Sequence, residues 1–226
     1  MDSTISKLTS LQRDYLAEIY HITRIEADDP DGFVSSGTLS ERMLIITSTI
    51  NRVLDRLRDA DLIHHKPYVG VQLTPSGERE ARLILRKQAI VEAFLVNTMG
   101  FRWHEICDEA KKIRHGVNET LVDRMWEIAG YPEKSPFGEP ITADDAGEDV
   151  DTILTDTEIG IDYQIARVLT RQRDRLEYLA ALDLTPGHTL KVMHQSPFDG
   201  PIQVQLDREY RIIGYELARV ITVFPL

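Results

Sequence analysis

The chain has 226 residues, 42% apolar and 28% charged, with a formal net charge of −11. That much apolar side chain buries a real core and excludes a wholly disordered chain, while the lack of an apolar run near eighteen residues excludes a membrane-spanning helix. Met1-Asp2-Ser3-Thr4 has neither the basic start nor the apolar run of a secretory signal, and the single cysteine, Cys107, excludes an intramolecular disulfide and a four-cysteine zinc site, so we place the chain in a reducing cytoplasm.

Residues 8 to 26 carry Leu8, Leu11, Tyr15, Leu16, Ile19 and Ile22 on one 3.6-period stripe, which predicts a first helix ending before the turn cluster Asp28-Asp29-Pro30-Asp31-Gly32. A short helix over 36 to 43, with Leu39 and Met43 inward, is followed by one from Thr47-Ser48 to about Asp59. Val53, Leu54 and Leu57 form its inner face, and Thr47 or Ser48 is its expected N-cap. Leu62 to Lys66, Pro67 to Gly70 and Val71 to Thr74 have the order strand, turn, strand. Two helices, a polar helix and a hairpin make a winged helix-turn-helix. In that arrangement the second helix of the pair enters a major groove and the hairpin lies along the flanking backbone.

Thr74-Pro75 is a helix start, with Thr74 the N-cap of a long helix running to Met99 and closed by Gly100. Helices near 103 to 115 and 117 to 129 follow. Their combined apolar faces exceed what a winged helix needs, and a dimer interface is the natural use, with an intramolecular helical core as the alternative. Tyr131 to Asp151 is rich in Pro, Gly and acid and reads as a linker. Residues 131 to 160 hold one basic against nine acidic side chains, whereas 1 to 80 hold nine against thirteen, 81 to 130 eight against seven and 161 to 226 eight of each. Most of the acidity is thus one self-repelling connector, and the negative total does not exclude a nucleic-acid surface elsewhere. A salt-rich cytoplasm is a weaker account of the same acidity. Beyond the linker the period falls to two, over 165–169, 189–193, 202–206 and 218–224, with a strong turn at Pro197-Phe198-Asp199-Gly200-Pro201 and one helix from Asp174 to Leu182. These strands predict a small β-barrel.

The fold class is therefore mainly α with α+β parts. The expected domains are a winged helix-turn-helix over 1–75, a helical dimerisation domain over 76–133, an acidic linker over 134–160 and the barrel over 161–226. For DNA contact the residues are Thr47, Ser48, Thr49, Asn51 and Arg52 at the start of the third helix, Arg56 reaching phosphate, and His65 and Lys66 in the wing. Asn and Arg carry forked donors suited to adenine and guanine edges, and Ser or Thr meets phosphate or a thymine methyl. Residues 35 to 77 hold five basic and four acidic side chains, a weak field that predicts modest non-specific affinity.

Taken in this order the parts resemble the diphtheria-toxin-repressor family of metal-dependent transcriptional regulators, including its manganese-responsive branch. The pieces that carry the resemblance are Asp14-Tyr15-Leu16-Ala17-Glu18-Ile19-Tyr20, Leu73-Thr74-Pro75-Ser76-Gly77, Asp108-Glu109-Ala110 in a helix ending in His115, and Ser135-Pro136-Phe137-Gly138-Glu139-Pro140-Ile141. The tail from Leu184 to Phe224 looks like the FeoA-like barrel shared with ferrous-iron-transport accessory proteins. The resemblance implies a homodimer on a palindromic double-stranded operator. It also implies Mn(II) or Fe(II) held between the first helix and the dimerisation helices.

The family ligand positions carry departures. Asp14 matches the aspartate of manganese sensors, but its companion one turn later is Ala17. On the fifth helix the family's four positions fall on Cys107, Lys111, Arg114 and His115, of which Lys111 and Arg114 offer no lone pair when charged. The second family site maps to Gln88, Glu92 and Cys107, with barrel positions aligning approximately on Arg167 and Thr170. We therefore expect permanent charge on Lys111 and Arg114 to replace the ion, with Asp14 as its counter-charge. The alternative is a genuine Mn(II) or Fe(II) sensor using Asp14, Glu92, Cys107 and His115. Cys107 beside two cations is expected to have a lowered pKa and to be open to oxidation. No Ser/His/Asp set, phosphate loop or HExxH motif occurs, so an enzyme is not expected; a protein-interaction module without DNA readout is the third reading.

Overall fold

The computed structural model describes residues 8–25, 32–141 and 151–226. The N-terminal tetrapeptide, Asp28 to Asp31 of the turn cluster, acidic residues 142–150 and the side chains of Thr47 and Ser48 lie outside the described residues. The chain divides into two compact units, Met1–Arg86 and Lys87–Leu226.

In the first unit, α1 (Ser10–Ile25), α2 (Ser36–Met43) and α3 (Thr47–Asp59) are followed by the hairpin β1 (Ile63–Lys66) and β2 (Gly70–Leu73). The hairpin is antiparallel from Ile63 opposite Leu73 to Lys66 opposite Gly70. The apolar stripe of α1 meets Leu39 of α2 and Ile50, Leu54 and Leu57 of α3, all buried in one core with Val71. Ser35 caps α2 by accepting from the Thr38 amide. The expected Ser or Thr cap on α3 is not formed. Ile46, extended at φ −65 and ψ 141, is the N-cap residue and supplies no side-chain hydrogen bond, because the helix already includes Thr47 and Ser48. Thr74 does cap the next helix, α4 (Pro75–Asn97): its Oγ1 accepts from the Gly77 amide at 3.0 Å and donates to the Asp61 carbonyl at 2.7 Å. Gly77 is obligatory there, since a Cβ would lie 1.8 Å from the Leu62 carbonyl oxygen.

In the second unit, the C-terminal part of α4 is followed by a 3-10 turn at Trp103–Glu105, α5 (Ile106–Gly116) and α6 (Glu119–Ile128). Beyond residue 150 come β3 (Thr152–Ile153), β4 (Asp162–Val168), α7 (Arg173–Ala181), β5 (Thr189–Gln195), β6 (Ile202–Leu206), β7 (Glu209–Ile213), α8 (Tyr215–Ala218) and β8 (Ile221–Pro225). The strands form one antiparallel sheet in the order β3-β8-β4-β5-β6-β7, so the expected barrel is an open sheet whose edges are β3 and β7 among the described residues. Register shifts at Ile165/Arg167 and Val192/His194 interrupt the alternation of β4 and β5.

The sheet does not have a core to itself. Val91, Leu95, Ile106, Cys107 and Ala110 from α4 and α5 join Ile165, Val168, Val192, Val204 and Val223 in one buried cluster. The start of the expected linker is equally packed. Phe137 is fully buried, its ring 5.3 Å from that of Trp103, whose Nε1 donates to the Pro136 carbonyl. Trp126 donates likewise to the Pro132 carbonyl. Residues 132–141 are thus a strap pinned by both tryptophans, and Gly138, at φ +87, lets it approach the sheet so closely that a Cβ would sit 1.9 Å from the Ala166 carbonyl oxygen.

Candidate nucleic-acid interface and metal centre

The first unit divides α3 cleanly. Ile50, Val53, Leu54 and Leu57 are buried, while Asn51, Arg52 and Arg56 are exposed and Thr49 is half-buried. Arg58 is taken up by Asp55 at 2.9 Å and Asp59 at 3.1 Å, which leaves Asn51, Arg52 and Arg56 to form the outward row. In the wing, Lys66 is exposed with its Nζ 5.6 Å from the centre of the Phe33 ring, His64 is exposed and His65 half-buried. Two features escaped the sequence reading. Leu44 and Ile46, in the turn that leads into α3, are 92% and 72% exposed, with Leu44 left-handed at φ 53; Tyr68 is fully exposed at the wing tip. The signal for the first was the apolar run Leu44-Ile45-Ile46 placed directly before a polar helix.

Among the metal-related positions, Asp14 is half-buried on α1 and Ala17 is buried. In the second unit, Gln88 and Glu92 lie one turn apart on α4 and both are buried. Gln88 Nε2 donates to Glu92 Oε1 at 2.8 Å, and Arg114 Nη1, itself buried, donates to Gln88 Oε1 at 2.7 Å. The amide therefore relays between a buried cation and a buried carboxylate. Burial pushes the Glu92 carboxyl up to about 7 against the opposing pull of Arg171, with Glu139 adding to the rise. Lys111 is exposed and His115 half-buried.

The two barrel positions aligned with this site have partners of their own. Arg167 is paired with Asp151 at 2.7 Å, and the Thr170 hydroxyl accepts from the Gln172 amide. The next residue takes their place. Arg171 Nη2 meets Glu139 Oε1 at 2.7 Å, Nη1 donates to the carbonyls of Val168 and Thr170, and the guanidinium carbon lies 4.0 Å from the centre of the Phe137 ring. Burial acts against its charge, yet Glu139 and then Glu92 and Cys107 outweigh it and raise its pKa. Cys107 overturns the expected acidic thiol. It is 8% exposed, and burial, reinforced by Glu92, pushes it up to about 12 despite Arg171 and Lys111.

Three family models match in the same order. They are the iron-dependent repressor N-terminal DNA-binding domain over residues 7–71, the iron-dependent repressor metal-binding and dimerisation domain over 74–143, and the FeoA domain over 152–225. A solved manganese-dependent transcriptional repressor in complex with manganese is 30% identical with a TM-score of 0.86, over 95% of this chain and all of that one. The chain belongs to the diphtheria-toxin-repressor family. The solved IdeR of T. acidophilum is 25% identical with a TM-score of 0.80, over 95% of this chain and 97% of its own. The diphtheria toxin repressor of Corynebacterium efficiens is 26% identical over 79% of this chain, which spans 66% of that relative. The corresponding repressor of Corynebacterium glutamicum is 27% identical, and 54% of its length is spanned.

Members of the diphtheria-toxin-repressor family use Fe(II) or Mn(II). The residues present here do not fit such an ion. Lys111 and Arg114 bring charge but no lone pair, and the Gln88 carbonyl oxygen is already accepting from Arg114. Cys107 is buried, and binding a metal there would require loss of its thiol proton. Among the described residues no three of His, Cys, Asp and Glu stand close enough together to hold a metal ion.

Proposed function

We propose that the chain is a homodimeric DNA-binding transcriptional regulator that reads a palindromic operator through α3 and its wing, with fixed cations on α5 in place of the family's ion. The observation that carries this is the two-sidedness of α3: a buried face seats it in the helix-turn-helix core, and Asn51, Arg52 and Arg56 are exposed on the other. Asn51 and Arg52 have the donor and acceptor forks that distinguish base edges, and Arg56, with Lys66 in the wing, suits phosphate. Leu44 and Ile46 are apolar side chains at the mouth of the same helix and suit thymine methyl groups. The dimer is supported by Leu121 and Ile128 of α6, which are 46% and 51% exposed within a segment matching the family dimerisation domain. Two-fold symmetry places the half-sites about one helical turn apart or a multiple of it.

The test is a mobility shift on the DNA upstream of the chain's own coding sequence, with EDTA and with added Mn(II) or Fe(II). We expect the same complex in all conditions. A shift seen only with added metal would return the chain to the metal-sensing reading, with Asp14, Glu92, Cys107 and His115 as the ligands to mutate. No shift in any condition would leave the interaction-module reading. Calorimetry with Mn(II), Fe(II) and Zn(II) on the free protein addresses the substitution separately: one tight site that disappears in His115→Ala or Asp14→Asn would show that Lys111 and Arg114 have not displaced the ion.

A further inference from the structure

Two of the second set of family ligand positions, Glu92 and Cys107, lie in the electrostatic field of a cation that the chain itself supplies, Arg171. Glu92 is 1% exposed and Arg171, entering from the loop after β4, is in the electrostatic field of Glu92, Glu139 and Cys107. Its guanidinium meets a carboxylate on the strap, two backbone carbonyls and the face of Phe137, and its Nε is buried and unpartnered among the described residues. We propose that Arg171 is the resident cation of this pocket, filling the place of the family's second ion and fastening the strap and the sheet to α4 and α5 without metal.

The charge balance supports this. Arg171 pairs with Glu139, and Arg114 reaches Glu92 through the Gln88 amide, so an added divalent ion would meet two fixed cations. A guanidinium is also larger than an ion. With it in place, no three of His, Cys, Asp and Glu among the described residues stand close enough together to hold a metal ion. Taking Arg171 away removes the partner of Glu139 and the cation that acts most strongly on Glu92, and an uncompensated buried charge is strongly unfavourable. The donors that remain, oxygen with one sulfur, suit a borderline divalent cation such as Zn(II) or Co(II). Binding such an ion replaces the thiol proton of Cys107, which is released to solvent.

The experiment measures metal content and calorimetric binding of Zn(II) and Co(II) to the full chain, without DNA, so that its failure leaves the DNA-reading proposal untouched. The wild-type protein is expected to take up no ion whose binding depends on Glu92. Arg171→Ala is expected to take one further Zn(II) per chain, lost again in Arg171→Ala/Glu92→Gln. With Co(II) the variant should show a thiolate-to-metal absorption that Cys107→Ser removes. Arg171→Lys restores a cation and should refuse the ion as the wild type does. Arg171→Gln, which keeps side-chain length, carries the same expectation as Arg171→Ala and replaces it if circular dichroism shows the alanine variant unfolded. Folded Arg171→Ala or Arg171→Gln protein that binds no more ion than the wild type would overturn the proposal. So would a wild-type ion that Glu92→Gln abolishes, because the guanidinium would then not be occupying the site.

Discussion

Cys107 sits among Ile106, Ala110 and the inward residues of the sheet, and its thiol titrates far above neutral pH. A thiol reacts as its thiolate, so this cysteine should resist alkylation and disulfide exchange while the protein is folded. We predict that 5,5′-dithiobis(2-nitrobenzoic acid) labels it slowly in buffer and stoichiometrically in denaturant; rapid labelling in buffer would contradict the burial. On α3, Asn51→Ala and Arg52→Ala should each weaken operator binding by about 1–3 kcal/mol, as loss of a bidentate base contact does, while circular dichroism and thermal midpoint stay put. Asn51 and Arg52 were legible because helix periodicity alone assigns inner and outer faces. Arg171 was not. Its neighbours Arg167 and Thr170 came from an approximate family alignment, and nothing in the sequence tells that Arg167 goes to Asp151 while the residue after Thr170 reaches Glu139.

At the scale of elements, α1 to α7 were readable from 3.6-residue periodicity but the four-residue α8 was not, and the Thr74 cap was readable from its Pro and Gly neighbours, because both signals are local. The edge strand β7 was not, since only Ile213 of its five residues is buried and the alternation that marks a strand is missing. The start of α3 misled for a different reason: Ser and Thr prefer the cap, but the left-handed turn at Leu44 winds the helix in one residue earlier. Ile46 consequently leaves the first-turn amides without a side-chain acceptor. We predict that Ile46→Ser stabilises the free protein by about 1 kcal/mol in urea unfolding, and that Thr74→Ala costs about the same. An unchanged midpoint for Ile46→Ser would mean that the amides are already satisfied. Gly138→Ala should cost more, about 1–3 kcal/mol, because it adds left-handed strain to a collision with the Ala166 carbonyl. Thermal denaturation against the wild type measures it.

For the whole molecule, the acidity concentrates in residues 131 to 160, and the DNA-reading segment is close to neutral. The protein should therefore bind operator with a shallow dependence on salt, and Arg56→Ala should reduce the log–log slope by about 1. A steep slope would mean that more cations touch phosphate than α3 and the wing provide. The passage from helical to strand-rich segments was legible in periodicity, but whether the strands have a core of their own was not, because nothing in a strand pattern tells whose side chains will cover it. The cluster that joins Val91, Leu95 and Ile106 to Val192, Val204 and Val223 decides that point. Cutting the chain after residue 141 would strip the lid from an oily surface shared by both halves, and leave Phe137 facing water. A shortened version made for crystallography or for cell work is thus expected to clump, and its loss of activity would say nothing about whether the sheet takes part in regulation.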